Sequence, residues 1–149
     1  MKLNRIFTVV LLLLAAFTVQ AQHNIEFKIN GLNRGEECIL AHYYADQNKI
    51  IDTAVVNPSG KVVFKGPDKL KNGVYIIVLP KHTYIEFVVP NDDQTFAIEF
   101  DTSLASASKN AIGSMDNQAF FEFDKYAAEQ GIKMRSLRDQ KKVAEEAKN

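Results

Sequence analysis

The sequence predicts a mainly β protein: an antiparallel β-sandwich of about seven strands followed by a C-terminal α-helical segment. Three observations lead there. Between Ile25 and Phe100, apolar and polar residues alternate in short runs. Clusters of Gly, Pro, Asn and Ser separate those runs. After Ser114 the apolar spacing changes to that of a helix. No stretch between the runs has helical period, which argues against a parallel α/β sheet.

The first 21 residues stand apart. Lys2 and Arg5 open the chain, Ile6 to Phe17 is nearly all apolar, and Val19-Gln20-Ala21 places small residues where a signal peptidase cuts. The apolar run is about 12 residues, short of the ~20 that a spanning helix needs. A secretory signal peptide over 1–21 is therefore expected, with export to the periplasm and no membrane anchorage after cleavage. No cysteine follows the apolar core, so a lipid anchor there is not expected. The expected organisation is 1–21 signal peptide, 22–113 β-sandwich and 114–149 helical segment.

The whole chain has 149 residues, 18 Lys plus Arg, and 18 Asp plus Glu. Loss of Lys2 and Arg5 with the signal takes the net charge from zero to −2. Neither balance supports a nucleic-acid binder. The single cysteine excludes an intramolecular disulfide framework, a zinc ribbon and a self-contained CxxC redox centre.

Ile25, Phe27 and Ile29 alternate with Glu26, Lys28 and Asn30 as a half-buried strand. Gly31 to Gly35 is a turn. Cys38–Tyr44 and Ile50–Val56 are the next two strands, and Asn57-Pro58-Ser59-Gly60 turns the chain into Lys61–Lys65 as a hairpin partner. Val74–Leu79 is apolar on both faces and reads as a central strand. Tyr84–Val89 and Phe96–Phe100 complete the seven, Asp101 to Lys109 reads as a loop, and Asn110–Ile112 is a candidate short edge strand.

Ser114 is placed to cap a helix, with Asp116 in its first turn. Phe120, Phe123 and Ala127 form a stripe, with Phe121 and Ala128 beside it, expected to pack on the sandwich, and Gly131 is expected to break or kink the helix. Lys133 to Asn149 is rich in charge, with Lys141/Glu145 and Lys142/Glu146 at i,i+4. The segment stops without a C-cap or proline, which predicts either a truncated chain or a stand-alone relative of a longer protein.

Few residues carry readable chemistry. Cys38 reads as a small buried hydrophobe, since no Lys, Arg or helix N-terminus adjoins it to depress its pKa. Cys38 and His42 lie ~13 Å apart on a strand, too far to share an ion. His23, His42 and His82 read as dispersed surface histidines, and no metal site is expected. Asp52 has no partner carboxylate for acid–base work, and Asp92-Asp93 reads as a turn. Ser59 and Ser114 lack nucleophile context. No catalytic residue and no cofactor are expected. Tyr43, Tyr75 and Tyr84 form the candidate binding face.

Several segments taken together resemble a known family. They are His42-Tyr43-Tyr44, Ile51-Asp52-Thr53, Pro58-Ser59-Gly60 leading into Val63-Phe64-Lys65-Gly66, Leu70 with Gly73-Val74-Tyr75, and Leu79-Pro80. Phe87, Phe96 and Ile98 follow. Last comes Ile112-Gly113-Ser114-Met115-Asp116-Asn117-Gln118-Ala119-Phe120, a Gly-Ser-x-x-Asn-x-x-Phe pattern. The set resembles the N-terminal domain of periplasmic TlpA-like, thioredoxin-family thiol–disulfide oxidoreductases of Bacteroidota, over about Ile25 to Leu137. The resemblance implies a signal peptide, a β-domain and a helical segment ahead of a thioredoxin domain with its CxxC. This chain has no CxxC, so none of that family's catalytic residues has a position here. The implied role is non-catalytic: docking, dimerising or presenting substrate to a thioredoxin-like partner in cis or trans. The alternative is a secreted module that binds glycan or peptide. A small hydrolase using Asp52 or His42 ranks last.

Overall fold

A computed structural model describes residues 21–44, 47–80, 83–103 and 109–147. The expected signal peptide, apart from Ala21, and His82 lie outside the described residues. The elements in chain order are β1 (His23–Asn30), β2 (Glu37–Tyr44), β3 (Gln47–Val55), β4 (Lys61–Gly66), β5 (Gly73–Val78), β6 (Tyr84–Val89), β7 (Thr95–Asp101), β8 (Asn110–Ile112) and α1 (Met115–Glu146). The strands form two four-stranded sheets, β4-β1-β7-β8 and β3-β2-β5-β6. The fold is the expected sandwich with the short edge strand added.

Alternation in sequence becomes inside and outside here. Ile25, Phe27 and Ile29 of β1, Val62 and Phe64 of β4, and Phe96, Ile98 and Phe100 of β7 point inward from the first sheet. Cys38 and Leu40 of β2, Tyr75 and Ile77 of β5, and Phe87 and Val89 of β6 meet them from the second. Phe27 stands edge-on to Phe64 at 6.0 Å and to Phe87 at 5.1 Å, so one ring ties both sheets together.

Three expectations about connectivity and packing are corrected. The sandwich is not wholly antiparallel, because β1 and β7 pair in parallel. Parallel neighbours need a long crossover, and the five strands between them supply it. Lys61–Lys65 is not the hairpin partner of the preceding strand, because β4 pairs with β1. The Asn57 turn hands the chain from one sheet to the other. Its side-chain Oδ1 accepts from the backbone N–H of Ser59 and of Lys61, at 2.9 and 3.0 Å. His23 is not a surface residue. It is 8% exposed, and its Nδ1 lies 2.6 Å from the Asp68 carbonyl oxygen.

The helix is capped as expected, with Ser114 Oγ accepting from the Asn117 N–H at 3.3 Å. Gly113 precedes it at φ +82°, a conformation that favours glycine. The helix then runs without a break through Gly131, so the expected kink is absent. One glycine in a helix costs only ~1 kcal/mol, too little to end it. The docked face also differs from expectation. Phe121 is buried and Phe120 partly so, while Phe123 is 64% exposed. Asn117 fixes the rotation, because residues at i, i+4 and i+7 share a face. Asn117, Phe121 and Asp124 point at the sandwich. Lys109 Nζ joins Asp124 Oδ2 at 2.7 Å and lies over the Phe121 ring. From Lys125 to Ala147 every residue is exposed, apart from the half-buried Gln130 and Gly131. Among the described residues no helix is long and apolar enough to cross a membrane.

Candidate functional site

The two sheets differ on their outer faces. On the first, β1 presents Glu26 and Lys28, and both are ion-paired to neighbouring strands: Lys61–Glu26 at 2.8 Å and Lys28–Glu99 at 3.2 Å. This is the ordinary solvated face of a sandwich. On the second, register places Ile39, Ala41 and Tyr43 of β2 on the outer face. The same registers put Ile50 and Val55 of β3, Val74, Ile76 and Val78 of β5, and Tyr84 and Val88 of β6 beside them. Their local cause is β-branched and aromatic residues at both parities of β5 and apolar residues (Ile39, Ala41, Tyr43) at the outward positions of β2 after Glu37.

This face is open. Ile50 is 64% exposed, Val55 57%, Tyr43 54% and Tyr84 59%. Only Glu37 and Glu86 bring charge to the described outward positions of these four strands, and no Lys or Arg does. Large apolar side chains exposed together on one sheet face mark a candidate interaction surface. β3 is also an edge strand, and its pairing with β2 shifts between Leu40 and Ala41 so that Ile51 is left as the extra residue of a bulge. Bulges re-aim side chains at sheet edges, and Ile50 and Ile51 both emerge there exposed.

Two of the three tyrosines proposed from the sequence reach this surface. Tyr43 and Tyr84 do. Tyr75 does not: it is 1% exposed, its ring stacks on His42 at 4.5 Å, and its hydroxyl donates to the Lys71 carbonyl at 2.9 Å. Its parity on β5 aims it inward. The sequence reading missed Ile39, Ile50, Ile76 and Val78. For Ile76 and Val78 the signal was the two-sided apolar pattern of Val74 to Leu79, and its reading as burial on both faces holds at Ile76, which is 5% exposed.

The other candidates resolve simply. Cys38 is fully buried, and desolvation, with Glu36 and Glu37 nearby, pushes its thiol up to about 11. It presents no thiolate near neutral pH. Asp52 is exposed and accepts from the next residue's N–H, Thr53, at 2.7 Å. Asp93 closes its turn by accepting from the Thr95 N–H at 2.8 Å. Among the described residues no three His, Cys, Asp or Glu side chains are grouped to hold a metal. A cleft of about 240 Å³ lies at one end of the sandwich, lined in part by Asn33, Glu36, Leu79 and Thr83. That volume is below the usual range for a small-molecule site.

A family model described as "Domain of unknown function (DUF4369)" matches residues 23–120. Comparison with the curated proteins gives no match. Among solved structures, the chain is similar to one described as the crystal structure of (S)-allantoin synthase, at 14% identity and a TM-score of 0.44. That alignment covers 70% of this chain and 48% of the other, so the chain spans about half the length of the protein it matches.

Proposed function

The chain belongs to the DUF4369 family of domains of unknown function, and on that premise we propose that it is a non-catalytic, exported accessory domain. In this reading it docks a thioredoxin-like thiol–disulfide oxidoreductase of the TlpA type, in cis or in trans, through the outer face of β3-β2-β5-β6. The observation that carries docking is the contrast between that apolar face and the ion-paired face of the other sheet. The choice of partner is supported by the resemblance over Ile25 to Leu137. Export to a bacterial periplasm is supported by the composition of residues 1–21. The buried Cys38 fits a role in which the partner supplies the exchanging thiols.

Titration calorimetry of the purified chain against the TlpA-like oxidoreductase of the same organism tests this. Saturable binding is expected, weakened at least about thirtyfold by Ile50→Glu, the ~2 kcal/mol of a hot-spot contact. No binding, or binding indifferent to Ile50→Glu, contradicts it.

A second reading is favoured by one observation. Tyr43 and Tyr84 expose their rings on the same face, as in modules that bind glycans or peptides. It predicts that a glycan or peptide array gives hits that Tyr43→Ala and Tyr84→Ala remove.

A further inference from the structure

We propose that α1 is a self-association arm, on which two copies of the chain pair antiparallel along a stripe from Phe123 to Leu137 and cross at Gly131. Phe123, Tyr126, Ala127, Gln130, Met134 and Leu137 recur at three- and four-residue steps, so they share one face of the helix. That face lies roughly a third of a turn from the one holding Asn117 and Phe121, so docking on the sandwich leaves it free. Phe123 is 64% exposed, Tyr126 60%, Met134 60% and Leu137 59%. The free part of the helix, residues 125–146, is ~33 Å long. In proteins most helical stability comes from packing an amphipathic face.

Charge selects the occupant and its direction. The first ten residues of α1 carry Asp116, Glu122 and Asp124 and no base. Residues 133–146 carry Lys133, Arg135, Arg138, Lys141 and Lys142 against Asp139, Glu145 and Glu146, still a basic excess although Lys141 and Lys142 lie beside Glu145 and Glu146 at 3.7 and 4.0 Å. A parallel pair sets like halves side by side. An antiparallel pair sets the acidic half of each copy against the basic half of the other, as the chain itself is the complementary partner.

The crossing point follows from the same residues. With Gly131 at the centre, Glu129 stands two residues before it and Lys133 two after, both on one flank of the stripe, so each faces the other across the dimer. Tyr126 meets the partner copy near its Leu137, and Ala127 faces Met134. Gly131 marks the level of the crossing but lies about a quarter turn from the middle of the stripe, where Gln130 stands.

Sedimentation or light scattering of the purified chain over a concentration series tests the arm. A dimer is expected. Glu129→Lys and Lys133→Glu should each weaken it about tenfold, as two facing pairs turn repulsive. An equal mixture of the two variants should restore dimerisation as a heterodimer, because both pairs are then opposite in sign. Leu137→Glu should give monomer, and Ile50→Glu on the sheet face should leave the dimer intact. A chain that stays monomeric throughout overturns the proposal. So do charge variants that fail to rescue one another on mixing, and a dimer lost with Ile50→Glu but kept with Leu137→Glu. No oxidoreductase is in this assay, so its result is independent of the docking reading.

Discussion

The side-chain amide of Asn117 pairs with the backbone of Val88 as a neighbouring strand would. The Val88 N–H donates to Asn117 Oδ1 at 2.7 Å, and Asn117 Nδ2 donates to the Val88 carbonyl at 2.7 Å. β6 is an edge strand, and edge strands leave such groups unpaired. Nδ2 also donates to Ser114 Oγ at 2.9 Å, and Gln118 Nε2 donates to the Ala111 carbonyl of β8 at 3.0 Å. The first turn of α1 thus joins the edges of both sheets. This explains the Gly-Ser-x-x-Asn-x-x-Phe pattern: Gly113 supplies the turn, Ser114 the cap, Asn117 the clamp, and Phe120 packs against the core.

Asn117→Ala leaves the Val88 N–H and carbonyl unpaired in a half-buried place. A buried polar group stripped of its partner costs ~1–3 kcal/mol, so the variant should lose ~2–4 kcal/mol and melt at least about 10 °C lower. Thermal unfolding by circular dichroism checks this. A melting point within a few degrees of wild type would mean that the clamp is redundant.

Phe121→Ala and Phe123→Ala separate the docked face from the free one. Truncating buried Phe121 should cost ~3 kcal/mol or more. Truncating Phe123 should change stability by less than ~0.5 kcal/mol when measured at high dilution. Urea titration of both variants reads the difference directly, and equal losses would mean that the helix docks by another face.

Cys38 gives the fold an alkaline weakness. The fold raises its pKa from 9.0 to about 11, so the thiol is favoured over the thiolate in the native state. The contribution is fully present below pH ~9 and is lost as pH rises from 9 towards 11, where the unfolded chain ionises first. Burial raises Tyr75 in the same sense. Stability should therefore fall across that window, and Cys38→Ala should flatten the slope without removing it. Iodoacetamide at pH 8 should label Cys38 only after denaturant is added.

Charge on the outer face of the second sheet should be neutral for folding. Ile50 is 64% exposed, so Ile50→Glu should shift the melting point by no more than a degree or two, within the ~0.5 kcal/mol of an ordinary surface change. A large drop would mean that Ile50 is part of the core.

Strand positions were legible because period-2 alternation and turn residues are local signals. What escaped depends on partners distant in sequence. The parallel pairing of β1 with β7 is invisible in either strand alone. β4 has the turn chemistry of a hairpin, yet Asn57 only passes the chain between sheets. The helix holds Phe120, Phe121 and Phe123 within four residues, and periodicity cannot say which of them faces inward. The Asn117–Val88 contact decides that. Of the tyrosine face, Tyr43 and Tyr84 were readable and Tyr75 was not, because a strand apolar on both sides conceals which side is covered.

The docking surface is tested most directly by photo-crosslinking in the exporting cell. A benzoylphenylalanine placed at Tyr43, on the apolar sheet, should capture a thioredoxin-like oxidoreductase identified by mass spectrometry. The same group at Lys28, on the ion-paired sheet, should capture none. Capture of that partner from position 28 alone, or from neither position, would contradict the account.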